Sequence, residues 1–415
     1  MRFWYSLSTA ASLAIASLRA HKLRSFLTLL GVIIGVSSVV IVGAAIEGLG
    51  NYAEETTSKV FGSDGYQVGQ LLQVGRLSRR ERIERLKYNR RIRLEDYAYL
   101  RETTGKDILY SPYRLRSEDV RHEGRLLEAT SIIGVAAAIA EIREVNLTDG
   151  RFFTEQEERN KVPVTIIGED LRTEFFPEAS PIGKTVKLAG FEFVIIGVQE
   201  KIGSAGGQSQ DNVAFIPATV FNRIYGPERT MVLFARARPE SGLKIDDALD
   251  VTRVALRNRF KARPGKPDNF DTITPDSIRQ FIGQILGLIG AVVVPVTCIS
   301  LVVGGIVIMN IMLVSVTERT REIGIRKSLG ARQSDLKMQF LLEAIIMSAL
   351  GGAIGLGIGA GVARIASIVS GVTLSVTLPY VFLALFVSSV VGVLSGWYPA
   401  QRAAKMDPIV ALRAE

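Results

Sequence analysis

From Phe281 to Val316 the chain runs for 36 residues without a charge. At roughly 1.5 Å per residue, that run makes a helix of about 54 Å, against a bilayer hydrocarbon core of about 30 Å. Tilt absorbs only part of such an excess. The run therefore reads as a transmembrane helix continued by a stalk, with Pro295 as a candidate kink. Three more apolar runs surround it in the sequence: Phe26–Ile46, Ala344–Val362 and roughly Tyr380–Ala400. Each is close to the ~20 residues that a spanning helix needs. The first is too long for the apolar core of a signal peptide and ends in Glu47-Gly48, which predicts an uncleaved anchor.

Charge placement orients these spans. The chain carries a net +9, but residues 47–283 hold 36 Lys/Arg and 35 Asp/Glu, leaving 14 basic and 6 acidic residues beside the apolar runs. A basic excess confined to span flanks points to membrane topology and away from nucleic acid. Arg2, Arg19, Lys22 and Arg24 precede the first span, and six Lys/Arg against three acids fill 317–337. Arg402, Lys405 and Arg413 follow the last span, whereas 364–379 carries only Arg364. The expectation is a bacterial inner-membrane protein with both termini cytoplasmic.

The predicted fold class is membrane α-helical, four transmembrane helices in a 1+3 arrangement, with a large mixed α/β extracytoplasmic (periplasmic) domain between helices 1 and 2. The expected divisions are a cytoplasmic segment 1–25, helix 1 at 26–46, the α/β domain at 47–280 and stalk plus helix 2 at 281–316. A cytoplasmic coupling segment 317–337 follows, then helix 3 at 338–363, an external loop 364–379, helix 4 at 380–400 and a cytoplasmic tail 401–415.

Within the α/β domain, Val162–Ile167, Thr185–Leu188, Phe191–Val198 and Val213–Ile216 read as strands, rich in β-branched residues and bounded by Gly, Pro or Asp. Apolar spacing predicts a helix over Asp246–Phe260. Residues 76–93 carry nine basic and two acidic side chains. They suit a solvated helix or loop, or a contact with anionic lipid, polysaccharide or a partner.

Enzymatic signatures are missing. Pro181-Ile-Gly-Lys-Thr185 ends like a phosphate-binding loop, but Glu178 stands where that loop needs its first glycine, and a strand follows where a helix is required. Ser204-Ala-Gly-Gly-Gln208 resembles an ATP-binding-cassette signature only faintly. No GxSxG, HExxH or CxxC occurs in the sequence. With Cys298 the only cysteine, inside an apolar run, and only His21 and His122, neither a disulfide nor a metal site is expected. The chain is expected to have no catalytic, cofactor-binding or metal-binding residues.

Two constellations remain. Gly31 and Gly35, then Gly351, Gly355 and Gly359, then Gly392 and Gly396 repeat the small-xxx-small spacing that lets membrane helices approach closely. They serve either a dimer interface or contacts within one subunit. Second, Thr317-Glu-Arg-Thr-Arg-Glu-Ile-Gly-Ile-Arg-Lys-Ser-Leu-Gly330 is a dense charged block between two spans. As a helix it would pair Glu322 with Arg326 at i,i+4 and Arg319 with Glu322 at i,i+3. Ile325 and Leu329 would form an apolar edge, and Gly330 would end the helix. A second helix would carry Asp335, Leu336, Phe340 and Leu341. The block reads as a docking element, against the plainer reading of a solvated basic loop.

The block Thr317–Ala331 resembles the cytoplasmic loop of MacB-type ABC transporter permeases, the family that includes FtsX and the LolC/LolE proteins. Gly396-Trp-Tyr-Pro-Ala-Gln-Arg through Arg413 resembles the family's closing motif. Asp149-Gly-Arg-Phe-Phe-Thr-Glu-Gln-Glu157, Pro181-Ile-Gly-Lys, Ile196-Gly-Val and Ile216-Pro217 resemble its extracytoplasmic domain, while residues about 66–145 match poorly.

The resemblance implies a dimeric permease that works by mechanotransmission, with an identical or paralogous second permease. Two copies of a cytoplasmic ABC ATPase, which bind ATP and Mg, would dock on Glu318, Arg319, Arg321, Glu322, Arg326, Lys327, Leu329 and Gly330. Since the first span begins about 25 residues into the chain, the ATPase is expected on a separate polypeptide. A periplasmic adaptor and an outer-membrane duct are the further partners implied, beside the lipid bilayer. Three other readings stay open: an FtsX-like relay activating a cell-wall hydrolase, LolC/LolE-like lipoprotein release, and a membrane receptor or scaffold without an ATPase.

Overall fold

A computed structural model describes residues 22–413, apart from 63, 74, 76, 206–207, 227–229 and 264. Arg2, Arg19 and His21 of the N-terminal segment, Arg76 of the basic stretch and Gly206-Gly207 of the cassette-like sequence lie outside the described residues. The chain divides into two compact units, one of 1–52 with 283–415 and one of 53–282.

The first unit is helical, and it shares α1 (Lys22–Phe61) with the second. Four helices of the described chain are long and apolar enough to cross a membrane. The helices outrun the apolar segments that announce them. Residues 47–61, expected in the outer domain, still belong to α1.

The second unit is mixed α/β. After α1 come β1 (Gly65–Gly69), α2 (Arg79–Tyr88), α3 (Leu94–Thr104), β2 (Ile108–His122), β3 (Arg125–Val135), α4 (Ile139–Ile142) and β4 (Leu147–Gly150). Next stand α5 (Glu155–Arg159), β5 (Val164–Ile167), α6 (Glu169–Phe175), β6 (Thr185–Leu188), β7 (Phe191–Gln199), β8 (Ser204–Ala205) and β9 (Gln208–Ser209). Then follow β10 (Val213–Pro217), α7 (Ala218–Tyr225), β11 (Val232–Ala237), a 3-10 turn Pro239–Ser241, α8 (Ile245–Arg259) and β12 (Asp271–Ile273). The main sheet runs β12-β1-β11-β2-β3-β10-β5-β7-β4, with β6 pairing β7. Pairs β3/β10 and β5/β7 are parallel and the rest antiparallel. The four predicted strands are all present, and the predicted helix is α8. It buries Ala248, Leu249, Thr252, Ala255 and Leu256, an i,i+3/i+4 stripe.

The long β2–β3 hairpin falls within residues 66–145, where the sequence patterns read above resemble the family least. Its turn places Glu123 at φ 48° and Gly124 at φ 83°, the positive-φ pair that a two-residue hairpin needs. Thr252 joins Tyr66 and Tyr110, each hydroxyl 2.7 Å away, and Tyr110 meets Thr104 at 2.9 Å, so these buried hydroxyls are satisfied. The basic stretch forms α2. Ser78 and Glu81 close a capping box on it, and no residue of α2 is buried.

The remaining long helices are α9 (Pro275–Glu318), α11 (Gln333–Ser370) and α12 (Leu378–Lys405), with the short α10 (Thr320–Ser328) before α11 and α13 (Pro408–Arg413) after α12. The 44 residues of α9 make about 66 Å of helix, uninterrupted at Pro295. In the helical unit a Cβ added to Gly31 would lie 2.5 Å from the Gly304 Cα, so α1 and α9 touch backbone to backbone. Gly35 faces Leu301 of α9, while Gly351, Gly355 and Gly359 of α11 receive Val32, Val36 and Val40 of α1. Gly392 and Gly396 of α12 sit against Ser348 and Ala344 of α11. All seven glycines thus meet neighbours within one subunit.

The family-like stretch from Asp149 has a local logic. Gly150 at φ 80° ends β4. Arg151 then grips Glu157 through both oxygens, at 2.8 and 2.7 Å, and Thr154 caps α5 onto Glu157. The Arg151 hydrogen bonds, foremost, and those from Thr154 hold the Glu157 carboxyl down at about 2.

Two outcomes follow. Gly304→Val forces α1 and α9 apart and costs about 3 kcal/mol, whereas Gly357→Ala, whose added methyl meets nothing, is neutral or stabilising. Thermal unfolding of the full chain in detergent reads both, and equal melting points for the two variants would refute the close approach. A depressed carboxyl contributes stability above its unfolded pKa and loses it as the pH falls through the folded one. Glu157→Gln therefore melts lower than wild type at pH 7, and the gap narrows below about pH 4.5 and closes near pH 2. A gap that is constant with pH would show that the pair contributes nothing.

Candidate functional site

The charged block folds as α10, with Leu329 as its last cap and Gly330 at φ 91° turning the chain towards α11. One face is buried: Ile323 and Gly324 turn inwards, and Ile323 joins a cluster with Val316, Leu336, Phe340 and Ala403. The short α13 lies against α10. Asp407 accepts the Ile409 amide at 2.8 Å and so starts α13.

Three cations tie the block down, and not to the partners expected. Arg326 donates to Gln339 Oε1 at 3.1 Å and Lys327 to the Met406 carbonyl at 2.6 Å. Arg319 pairs with Glu343 of α11 at 3.5 Å. The predicted Glu322–Arg326 and Arg319–Glu322 pairs are absent among the described residues, because both arginines turn away from their own helix to neighbouring elements. Glu343 is 2% exposed, and its second oxygen has no partner. A buried acid in a membrane helix is expensive and calls for a cation. The sequence reading missed Glu343, though it is the one acid interrupting the apolar pattern of α11. Lys337 stacks on the Trp397 ring, 3.7 Å from its centroid, and joins α11 to α12 on the same flank.

The outer face of α10 is left bare. Glu318, Arg321, Glu322, Ser328 and Gly330 are exposed, and the apolar edge is exposed with them, Ile325 by 43% and Leu329 by 82%. Charged and apolar side chains are thus mixed on the exposed side of an element that is held from behind. The Gly-Lys-Thr sequence does not fit a nucleotide phosphate: Gly183 turns at φ 81° straight into β6, with no helix N-terminus behind it. Among the described residues no three His, Cys, Asp or Glu side chains are grouped to hold a metal ion.

Comparison with known proteins agrees with this architecture. Residues 25–250 match the MacB-like periplasmic core domain, and residues 281–408 match the FtsX-like permease C-terminal domain. The chain is 34% identical over 409 residues to the macrolide export ATP-binding/permease protein MacB of Bdellovibrio bacteriovorus, covering 96% of this chain and 60% of that protein. The MacB protein of Acinetobacter baylyi is 34% identical over 414 residues, covering 99% and 60%. The chain thus spans about 60% of the length of these relatives. The crystal structure of the periplasmic region of MacB from Actinobacillus actinomycetemcomitans aligns with 55% of this chain and 95% of that one, at 17% identity and a TM-score of 0.43. With a MacB-like periplasmic core and an FtsX-like permease portion together accounting for most of its length, the chain belongs to the MacB-type family of ABC transporter permeases.

Proposed function

We propose that this chain is the permease subunit of an ABC-type export system that works by mechanotransmission. The observation that carries this reading is the two-sidedness of α10. Its bare face offers Arg321, Glu322, Ile325 and Leu329 to a partner, while Arg319, Arg326 and Lys327 fasten the other side to α11 and to the end of α12. A partner that pushes on such an element moves the helices to which it is fastened, because close-packed elements transmit strain.

In this reading α10 faces the cytoplasm, both termini lie on that side, and the MacB-like domain lies outside. Two copies of an ABC ATPase bind ATP with Mg and dock on α10. The permease portion does no nucleotide chemistry itself. A second permease completes the assembly, and a periplasmic adaptor and an outer-membrane duct receive what is exported. The length and continuity of α9 support its role as the lever, since one helix runs from Pro275 to Glu318.

Three variants test the site. Leu329→Asp with Ile325→Asp changes only exposed side chains, so the melting point stays close to wild type. Stimulation of the copurifying ATPase, measured in nanodiscs, falls at least about tenfold, as for loss of a contact near 1.4 kcal/mol. Undiminished stimulation would mean that α10 is not the docking element. Arg319→Met strands the buried Glu343 and destabilises by about 3 kcal/mol, while Arg319→Met with Glu343→Leu recovers most of the loss. If the double variant is no more stable than the single, the tether is not what holds α10.

A further inference from the structure

Arg143, just past α4 in the α/β unit, is a buried cation with no ion pair among the described residues. Its side chain is buried, with 8% of the residue exposed. Among the described residues it makes one hydrogen bond, a long one of 3.4 Å from Nη2 to the Lys59 carbonyl, and no ion pair. Its Nε has no hydrogen-bond partner among the described residues. The guanidinium carbon stands 5.8 Å from the centre of the Phe234 ring. Close by, Gln199 at the end of β7 is 4% exposed and leaves its Oε1 unpartnered as well.

Both side chains line two hollows. One, of about 220 Å³, is walled by Tyr113, Ile133, Phe215 and Phe234. The other, of about 330 Å³, is walled by Lys59, Lys201, Asn146, Glu144 and Glu200. Arg143 and Gln199 therefore line both hollows, one with an aromatic wall and one polar with charges of both signs.

A purely structural role for Arg143 accounts for little of this. A cation near the last turn of α1 gains from the helix dipole, but one weak bond to a carbonyl does not offset burial of a charge. Burial pushes the Arg143 guanidinium down from its ordinary value, with the neighbouring Tyr113 acting against it, yet a guanidinium stays protonated. Its remaining N–H groups form the planar fork that carboxylates match, and the aromatic wall beside it suits an apolar stem.

We propose that Arg143, with Gln199, is the anion-binding centre of a small ligand site for a carboxylate carrying an apolar or aromatic stem. The stem occupies the Tyr113–Phe234 chamber, and the carboxylate lies on Arg143. The two sources of such a group are a free organic acid and the C-terminal residue of a peptide. The site stands independently of the docking role of α10.

Calorimetric titration of the full chain in a non-ionic detergent tests it, with phenylacetate and N-acetylphenylalanine as probes and their neutral amides as controls. Both acids bind saturably and at least tenfold more tightly than the amides, and Arg143→Gln loses at least tenfold in affinity for both. Arg143→Lys retains part of the binding. N-acetylphenylalanine binding more than tenfold tighter than phenylacetate assigns the site to peptide ends, and equal affinities assign it to free acids. Without ligand, Arg143→Gln melts at or above wild type, since a buried unpaired charge has been removed. Should that variant fail to fold or melt lower, Arg143 is a structural cap and the proposal fails. Acids and amides binding alike, or no saturable binding of either acid up to about 10 mM, weaker than any useful site, overturns it equally.

Discussion

Inside a bilayer, lipid tails solvate leucine as well as another helix does, so helices gain little by hiding apolar surface from one another. What they can gain is close contact, and the meeting of Gly31 with Gly304 is where this chain obtains it. With no side chain on either side, α1 and α9 come together at backbone distance. The valines of α1 then drop onto Gly351, Gly355 and Gly359 of α11, and α11 in turn receives α12 at Gly392 and Gly396. Each glycine row accepts the next helix, so the order of contacts in the helical unit follows from one small-residue pattern.

Polar groups obey the opposite economy. Burying Glu343 demands a cation, and Arg319 supplies it from the end of α9, which also fixes where α10 begins. Lys327 reaches a main-chain carbonyl at the end of α12, and Arg326 an amide of α11. Thus the basic residues of the block do structural work on their inward side. Arg321, Glu322, Ile325 and Leu329 stay exposed on the other side. Arg143 in the α/β unit shows the contrasting case, a buried cation with no ion pair among the described residues.

How much of this was legible in the sequence depended on the range of the interaction. The apolar runs, the strand at Thr185–Leu188 and the helix at α8 follow from residue type and short-period spacing, and all appear at or near their predicted places. The β2–β3 hairpin escaped, because Arg114, Arg116, Glu118, Asp119 and Arg121 load its first strand with charge and its turn uses Glu-Gly where Asn-Gly or Asp-Gly is the usual signal. The ion pairs of α10 were misread for a different reason. Spacing of i,i+4 says that two side chains can meet, whereas a neighbouring helix with a buried acid offers the arginine a stronger partner.

By itself, the sequence determined that this protein has four helices able to cross a membrane, a mixed α/β domain after the first, and a charged helix ending at Gly330. Apolar length, strand and helix periodicity, and glycine's access to positive φ are local properties, and the order of residues is enough to express them. Only the tertiary structure decided which helix each glycine faces, which acid Arg319 answers, which side of α10 stays bare, and that Arg143 lies buried with one long hydrogen bond among the described residues. Those outcomes depend on residues tens to hundreds of positions apart being brought within a few ångströms, and no pattern along the chain encodes that directly.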